Sequence, residues 1–228
     1  MPTFSVMHTD ALELLRELPD ESVNMIVTDP PYESLEKHRK VGTTTRLKKE
    51  WFDIFPNHLF FTLFEQFYRV LARNSHFYMF SDQETMRWII RNDVVEATKF
   101  KFWKPIVWDK VKIGMGYHYR ARYEFILFFE KGKRKLRNLG IPDIIESPRI
   151  HRGRYPTEKP VEVFSVLTSQ STIPGELVLD PFIGAGGSGV AALQHGCNFI
   201  GADTEQKAVK ISRDRMLGLG VEARLTAF

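Results

Sequence analysis

An α/β fold built on a doubly wound, mostly parallel sheet is predicted by two features of the sequence. Short apolar runs alternate with stretches of helical periodicity, strand-like then helix-like, along almost the whole chain. A glycine-rich turn, Gly184-Ala185-Gly186-Gly187-Ser188-Gly189, follows an apolar run ending in Asp180. Such a turn between a strand and a helix is the ligand loop of open parallel sheets.

The elements follow in order. Residues 4–8 read as a strand, and Asp10, with Glu13 three residues on, caps a helix to residue 18. Residues 23–28 have the apolar character of a buried strand. Residues 33–55 are polar and basic and show no period. Residues 57–71 read as a helix and 76–80 as a strand, after which Ser81 and Glu84 form a second capping box. Residues 106–108 and 124–129 read as strands. Pro160 suits the first residue of a helix running to about residue 172. Residues 177–180 and 199–203 then read as strands, each followed by a helix, at 187–194 and 205–217. Residues 131–155 hold prolines and glycines without a sustained period and form a basic insert. Residues 1–130 and 156–228 make a single domain around it.

A chain of 228 residues with 43% hydrophobic and 26% charged side chains buries a core without disulfide or metal staples. Its one cysteine, Cys197, excludes an internal disulfide and a cysteine-rich zinc site. The seven histidines lack paired ligand spacing, so no metal is expected. No signal peptide or membrane span is read, and the chain is expected in a cytoplasmic setting in a bacterium, archaeon or phage. The phenylalanines at 52, 55, 60, 61, 64 and 67 are expected to pack the core, with a dimer face as the alternative.

Charge is segregated. Residues 33–50 carry six basic and three acidic groups, residues 131–160 nine and three, and the rest of the chain is net −5. A polyanion would complement this arrangement, although two solvated loops would also produce it.

Two motifs carry chemistry. After the glycine turn, Asp203 ends the next strand, placed to accept ribose hydroxyls of an adenosine-containing cofactor. A nicotinamide dinucleotide and S-adenosylmethionine both satisfy this, and a glycine turn without ligand is the plain alternative. Only about 40 residues follow Gly189, which is short for half of a dehydrogenase. The second motif is Asp29-Pro30-Pro31-Tyr32 at the end of the strand at 23–28. Two prolines stiffen the turn. A carboxylate, the Pro30 carbonyl and an aromatic face then suit a planar amine, whose two N–H groups need acceptors. A Pro-Pro turn with a capping aspartate is the plain alternative.

Together the motifs resemble the amino-methylating DNA methyltransferases. Their order, catalytic loop first and cofactor loop last, resembles the circularly permuted beta group. Met7-His8-Thr9-Asp10, the block from Arg122 to Gly132, and Tyr155-Pro156-Thr157-Glu158-Lys159-Pro160 are similar to further blocks of that family. Tyr155 and Glu158 depart from its H-P-T-Q-K-P pattern. The resemblance implies an S-adenosylmethionine-dependent methyltransferase fold and transfer of a methyl group to an exocyclic amine of a base flipped out of double-stranded DNA. Asp29, Pro30, Pro31 and Tyr32 would be catalytic. Asp10, Thr157, Lys159, Asp180, Phe182, Gly184, Gly186 and Asp203 would bind the cofactor, with Thr157 and Lys159 reaching its methionine carboxylate.

The insert at 131–155 would be the target-recognition segment. Arg39, Lys40, Arg46, Lys48, Lys133, Arg134, Lys135, Arg137, Arg149, Arg152 and Arg154 are the candidate DNA contacts. A D-P-P-Y motif in this order accompanies N6-adenine methylation within the family. N4-cytosine methylation and a non-catalytic DNA-binding relic are the alternatives. Cys197 follows a glycine beyond the cofactor loop and reads as a core residue, which argues against C5-cytosine chemistry. A homodimer and a cognate restriction endonuclease are possible partners.

Overall fold

The computed structural model describes residues 1–36, 52–114, 118–151 and 153–223. In chain order these form β1 (Thr3–His8), α1 (Ala11–Glu17), β2 (Val23–Thr28), α2 (Phe60–Val70, entered through a 3-10 turn at Asn57–Leu59), β3 (Leu71–Ser81) and α3 (Gln83–Arg91). There follow β4 (Lys101–Asp109), β5 (Tyr123–Lys131), β6 (Ile144–Glu146), α4 (Val161–Ser171), β7 (Leu177–Asp180), α5 (Gly187–Gln194), β8 (Asn198–Asp203), α6 (Gln206–Leu217) and β9 (Glu222–Ala223). The strands join one sheet in the order β6-β4-β5-β3-β2-β7-β8-β1-β9. Among the described strands only β5 runs against the rest, paired antiparallel with β3 and β4. The sheet is thus mixed but mostly parallel, as S-adenosylmethionine-dependent methyltransferase folds are.

Side chains alternate across the sheet with the period of two that a strand imposes. Ile26, Phe77 and Met79 point to one face and pack with α1, α2 and α3. Met25, Val27, Tyr78 and Phe80 point to the other and pack with α4 and α5. Helices therefore cover both faces. Phe60, Leu63, Phe64, Phe67 and Val70 form the buried stripe of α2 at helical spacing. The Phe64 ring meets Phe77 and Phe129 edge-on, each at 5.3 Å between centroids. The phenylalanine-rich stretch is thus core, except Phe61, which lies partly exposed against Trp88. Cys197 is fully buried. His76 bridges Ser171 Oγ (2.8 Å) and the Arg134 carbonyl (3.0 Å), and burial lowers its pKa to about 4. Among the described residues no helix is long and apolar enough to cross a membrane.

Several elements differ from the sequence reading. The strict strand–helix alternation fails between β4 and β5, which are joined by a hairpin. β4 begins at Lys101, five residues early, and holds Pro105 where β5 is its one neighbour, a position that needs no second ladder bond. The cap of α3 is Asp82, whose Oδ1 accepts from Thr85 N at 2.7 Å, and Ser81 instead ends β3. Pro160 is extended (φ −63°, ψ 137°) and precedes α4 as its cap. In α1 Asp10 Oδ1 does accept from Leu12 N (2.8 Å), while Glu13 takes the Thr9 hydroxyl (3.0 Å).

The path of residues 131–159 decides where their charges lie. β5 descends, so Lys131 pairs with Ser75 at the amino edge of the sheet. Residues 132–143 cross that edge, where Arg137 N donates to Gln170 O near the end of α4 (3.1 Å). β6 then rises parallel to β4 and returns the chain to the carboxyl edge by residue 147.

Candidate active site

β2 and β7 are neighbours, but the chain leaves them in opposite directions, toward β3 and toward β8. This is the topological switch point of the sheet, where a crevice opens beyond the carboxyl ends of the strands. Thr28 Oγ1 ties the two ends together by donating to Asp180 Oδ1 at 2.7 Å. Ser188 Oγ donates to Asp180 Oδ2 (2.5 Å) and Phe182 N to Oδ1 (3.1 Å). Burial pushes the Asp180 carboxyl up to about 7 against these three donors, which hold it down.

The turn after β2 puts Asp29 into the crevice. Tyr32 Oη donates to Asp29 Oδ1 at 2.5 Å, and Lys159 forms an ion pair with Asp29 Oδ2. Lys159 Nζ also lies 3.1 Å from Glu124 Oε1, and Lys110 Nζ lies 2.8 Å from Glu124 Oε2. Four charged side chains thus alternate in sign, from Asp29 through Lys159 and Glu124 to Lys110. Burial raises the pKa of Asp29, and Lys159 offsets part of that rise. Burial would also raise Glu124, but Lys159 and Lys110 outweigh it and its pKa falls. Tyr32 is held far above its ordinary value by burial and by the Asp29 charge. The turn is pinned from outside. Phe55 N donates to Pro31 O (2.8 Å), Asn57 N to Glu33 Oε1 (2.8 Å), and the Ser34 hydroxyl to the Asp82 carboxylate.

The glycine loop lies at the neighbouring strand ends. Asp203 Oδ2 accepts from Gly184 N and Oδ1 from Glu205 N, both at 2.9 Å. Gly186 caps α5 with φ +77°, and a Cβ there would meet Ser212 Cβ at 2.7 Å and its Cα at 2.9 Å. Gly186→Ala is expected to destabilise the protein by about 2–4 kcal/mol, combining left-handed backbone strain with overpacking. Urea unfolding checks this, and an unchanged midpoint would refute the close approach. Arg215 of α6 straps the loop, donating to Ala185 O (2.9 Å) and pairing with Glu158 Oε1 at 3.0 Å. Glu158 Oε2 also accepts from Arg154 N (2.7 Å). The departure of Glu158 from the family pattern is therefore matched by two cations in this chain, Arg215 and Arg154.

One cavity of about 610 Å³ joins the two loops. Asp10, Phe182, Gly184 and Asp203 line it together with Asp29, Pro30, Pro31 and Tyr32, and Thr157 and Lys159 lie between. Lys159, expected to reach toward the cofactor, is engaged by Asp29 and Glu124. Gly186 supports the loop from behind rather than lining the cavity. Sequence reasoning missed Glu124, Lys110 and Asp82. Glu124 begins an apolar run and Lys110 sits between two strands, and no local pattern distinguishes either.

The basic candidates separate into three groups. Arg39, Lys40, Arg46, Lys48 and Arg152 lie outside the described residues. Lys133, Arg134, Lys135 and Arg137 sit at the amino edge of the sheet, away from the crevice, and Arg134 is paired with Glu176 at 2.6 Å. These four candidate DNA contacts therefore lie at the opposite edge of the sheet from the cavity. Lys131, counted with the same basic segment, is buried and donates to the Tyr68 and Leu71 carbonyls at the end of α2 (2.8 and 2.6 Å). Arg149 and Arg154 lie at the carboxyl edge, and Arg149 lines the cavity.

A family model described as DNA methylase matches residues 23–147 and 140–214. The chain is 28% identical over 250 residues to the DNA adenine methyltransferase YhdJ of Escherichia coli K12, covering 93% of this chain and 82% of that protein. The M1.HpyAVI–SAM complex has the same fold, with a TM-score of 0.69 at 21% identity over 93% of this chain and 100% of that one. The cytosine-N4-specific PvuII DNA methyltransferase also shares the fold, with a TM-score of 0.68 at 15% identity over 100% of this chain and 97% of that one. With the family model spanning most of the chain, and with its motifs gathered around one cavity at the switch point, the chain belongs to the DNA methylase family of N6/N4 amino-methyltransferases.

Proposed function

We propose that this protein transfers a methyl group from S-adenosylmethionine to the N6 amine of adenine in double-stranded DNA. The observation that carries the reading is the Asp29 carboxylate, held at the switch point in the same cavity as the glycine loop. The cavity fits the cofactor. Asp203 and Asp10 offer carboxylates at the glycine-loop end, and the positive φ of Gly184 (+50°) lets the backbone approach a ligand closely. When bound, the cofactor supplies an electrophilic methyl group on a sulfonium.

The chain's own residues do the rest. Asp203 and Asp10 would hold the adenosine portion of the cofactor through hydrogen bonds to their carboxylates. Asp29 and the Pro30 carbonyl accept the two N–H hydrogens of the target amine and orient its lone pair. As positive charge develops on that nitrogen, the Asp29 carboxylate stabilises it in a site shielded from water. Tyr32 fixes Oδ1 of Asp29, while Lys159, held by Glu124, fixes Oδ2. The rigid prolines keep the acceptors in place, so positioning supplies much of the rate. Base flipping is required because the amine is otherwise stacked within the duplex.

An aspartate at the first position of the motif and the likeness to an enzyme named for adenine favour adenine over cytosine. The test is transfer from labelled S-adenosylmethionine to unmethylated DNA, followed by nucleoside mass spectrometry. N6-methyladenine is expected. N4-methylcytosine would keep the mechanism and overturn the choice of base. No labelled nucleoside, from protein that binds the cofactor, would overturn the activity.

A further inference from the structure

The hairpin between β4 and β5 rises from the carboxyl edge of the sheet at the mouth of the cavity, which Lys110, Ala121 and Tyr123 help to line. Its base is stiff. Lys110 N donates to Arg122 O (2.7 Å) and Gly114 N to Ala121 O (2.8 Å). Arg122 Nε donates to Asp109 Oδ1 at 2.8 Å, and its other arm pairs with Asp109 Oδ2. Beyond that base the surface is of unusual composition. Tyr119 is fully exposed and Ile113 is half exposed. Arg120 Nε donates to Gly114 O (2.7 Å), and Lys112 has no ion-pair partner among the described residues. Also lining the cavity is Arg149, whose Nε is buried and lacks a hydrogen-bond partner among the described residues.

An aromatic ring fully in water, followed by Arg120 and carried on the same hairpin as Lys112 beside the cavity, matches a duplex from which one base has been withdrawn. The gap left by a flipped base needs a flat apolar surface, and the flanking phosphates need cations. The alternative recognition surface, residues 133–137, lies at the other edge of the sheet. Resting on the DNA-methyltransferase reading above, we propose that the β4–β5 hairpin, with Arg149, is the duplex-binding element of this enzyme. Tyr119 stacks in the gap vacated by the target base, Lys112 and Arg120 hold the adjacent phosphates, and the Arg149 Nε finds its acceptor on the nucleic acid.

The test uses the full chain, S-adenosylmethionine and unmethylated plasmid duplex. Tyr119→Ala is expected to lower kcat/KM for duplex by about tenfold or more, the usual scale of one lost base–aromatic stack. Tyr119→Phe should restore it, since stacking needs the ring and not the hydroxyl. Lys112→Ala with Arg120→Ala should raise KM and reduce the slope of log KM against log salt by about 2, one unit per lost phosphate contact. Cofactor binding should stay at the wild-type level in all three. Lys133→Ala with Lys135→Ala and Arg137→Ala should leave both the salt slope and kcat/KM unchanged. Wild-type kinetics and salt slope in the hairpin variants, or a loss confined to the 133–137 variant, would overturn the proposal while leaving the methyltransferase reading intact. Absence of methyl transfer by the wild-type protein would overturn both.

Discussion

Asp29→Asn is expected to lower the single-turnover rate of methyl transfer by at least about 100-fold, the loss typical of removing one electrostatic group aimed at developing charge. Asparagine keeps the shape and one acceptor oxygen, but it removes the negative charge opposite the nitrogen. It also turns an N–H toward Tyr32 or toward Lys159, both of which donate to Asp29 in the native site. Cofactor binding should remain near the wild-type level, because Asp203, Asp10 and the glycine loop are untouched. Rapid-quench transfer of labelled methyl groups and equilibrium cofactor binding separate the two effects. A rate within about tenfold of wild type would remove Asp29 from the chemistry.

Lys159→Met is expected to be the most destabilising of the site substitutions. Lys159 lies between two carboxylates, with its side chain 10% exposed against 21% for Asp29 and 15% for Glu124. Methionine preserves the volume but leaves Asp29 and Glu124 facing each other, with Lys110 as the remaining cation on Glu124. Removing one member of a buried ionic cluster costs about 3–5 kcal/mol. For a chain of this size that corresponds to a fall in Tm of roughly 6–20 °C.

The sign of the pH dependence follows from the same geometry. Without Lys159 the Asp29 carboxyl, already raised by burial, lies further above its unfolded value. The folded state then binds more protons between those values, so stability is lost as pH rises through that window. The Tm deficit of the variant should therefore be larger at pH 8 than at pH 5. An equal deficit at both would show that packing, and not charge, is what Lys159 supplies. Transfer activity should fall as well, since Asp29 loses the group that fixes its second oxygen.

The two motifs were legible because each is contiguous. Asp29 to Tyr32 is a single turn at the end of a strand, and Gly184 to Gly189 is another. A strand followed by a turn of this composition is read from local backbone preference and apolar periodicity alone. The same holds for α1, β2, β7 and α5, whose bounds follow from apolar runs closed by capping residues, prolines or glycines. The ends of β3 and β4 were read short because Arg73, Asn74 and Lys104 break the apolar pattern, while pairing of Leu71 with Val23 of β2 and of Lys104 with Phe128 of β5 carries the strands past them.

The charges were not legible in this way. Lys131 and Arg134 looked like members of a basic surface. One instead closes the end of α2 and the other pairs with Glu176, 42 residues away. Glu124 joins Asp29 and Lys159 only because β5 runs against its neighbours and brings its first residues to the carboxyl edge. The sequence by itself determined the fold class, the two loops and their chemistry, since these depend on short-range backbone preference and on which residues shun water. The tertiary structure alone decided which cations face the cavity and which carboxylates share them. Pairing among charges depends on distances across the sheet, and reversing one strand moves whole segments from one edge to the other.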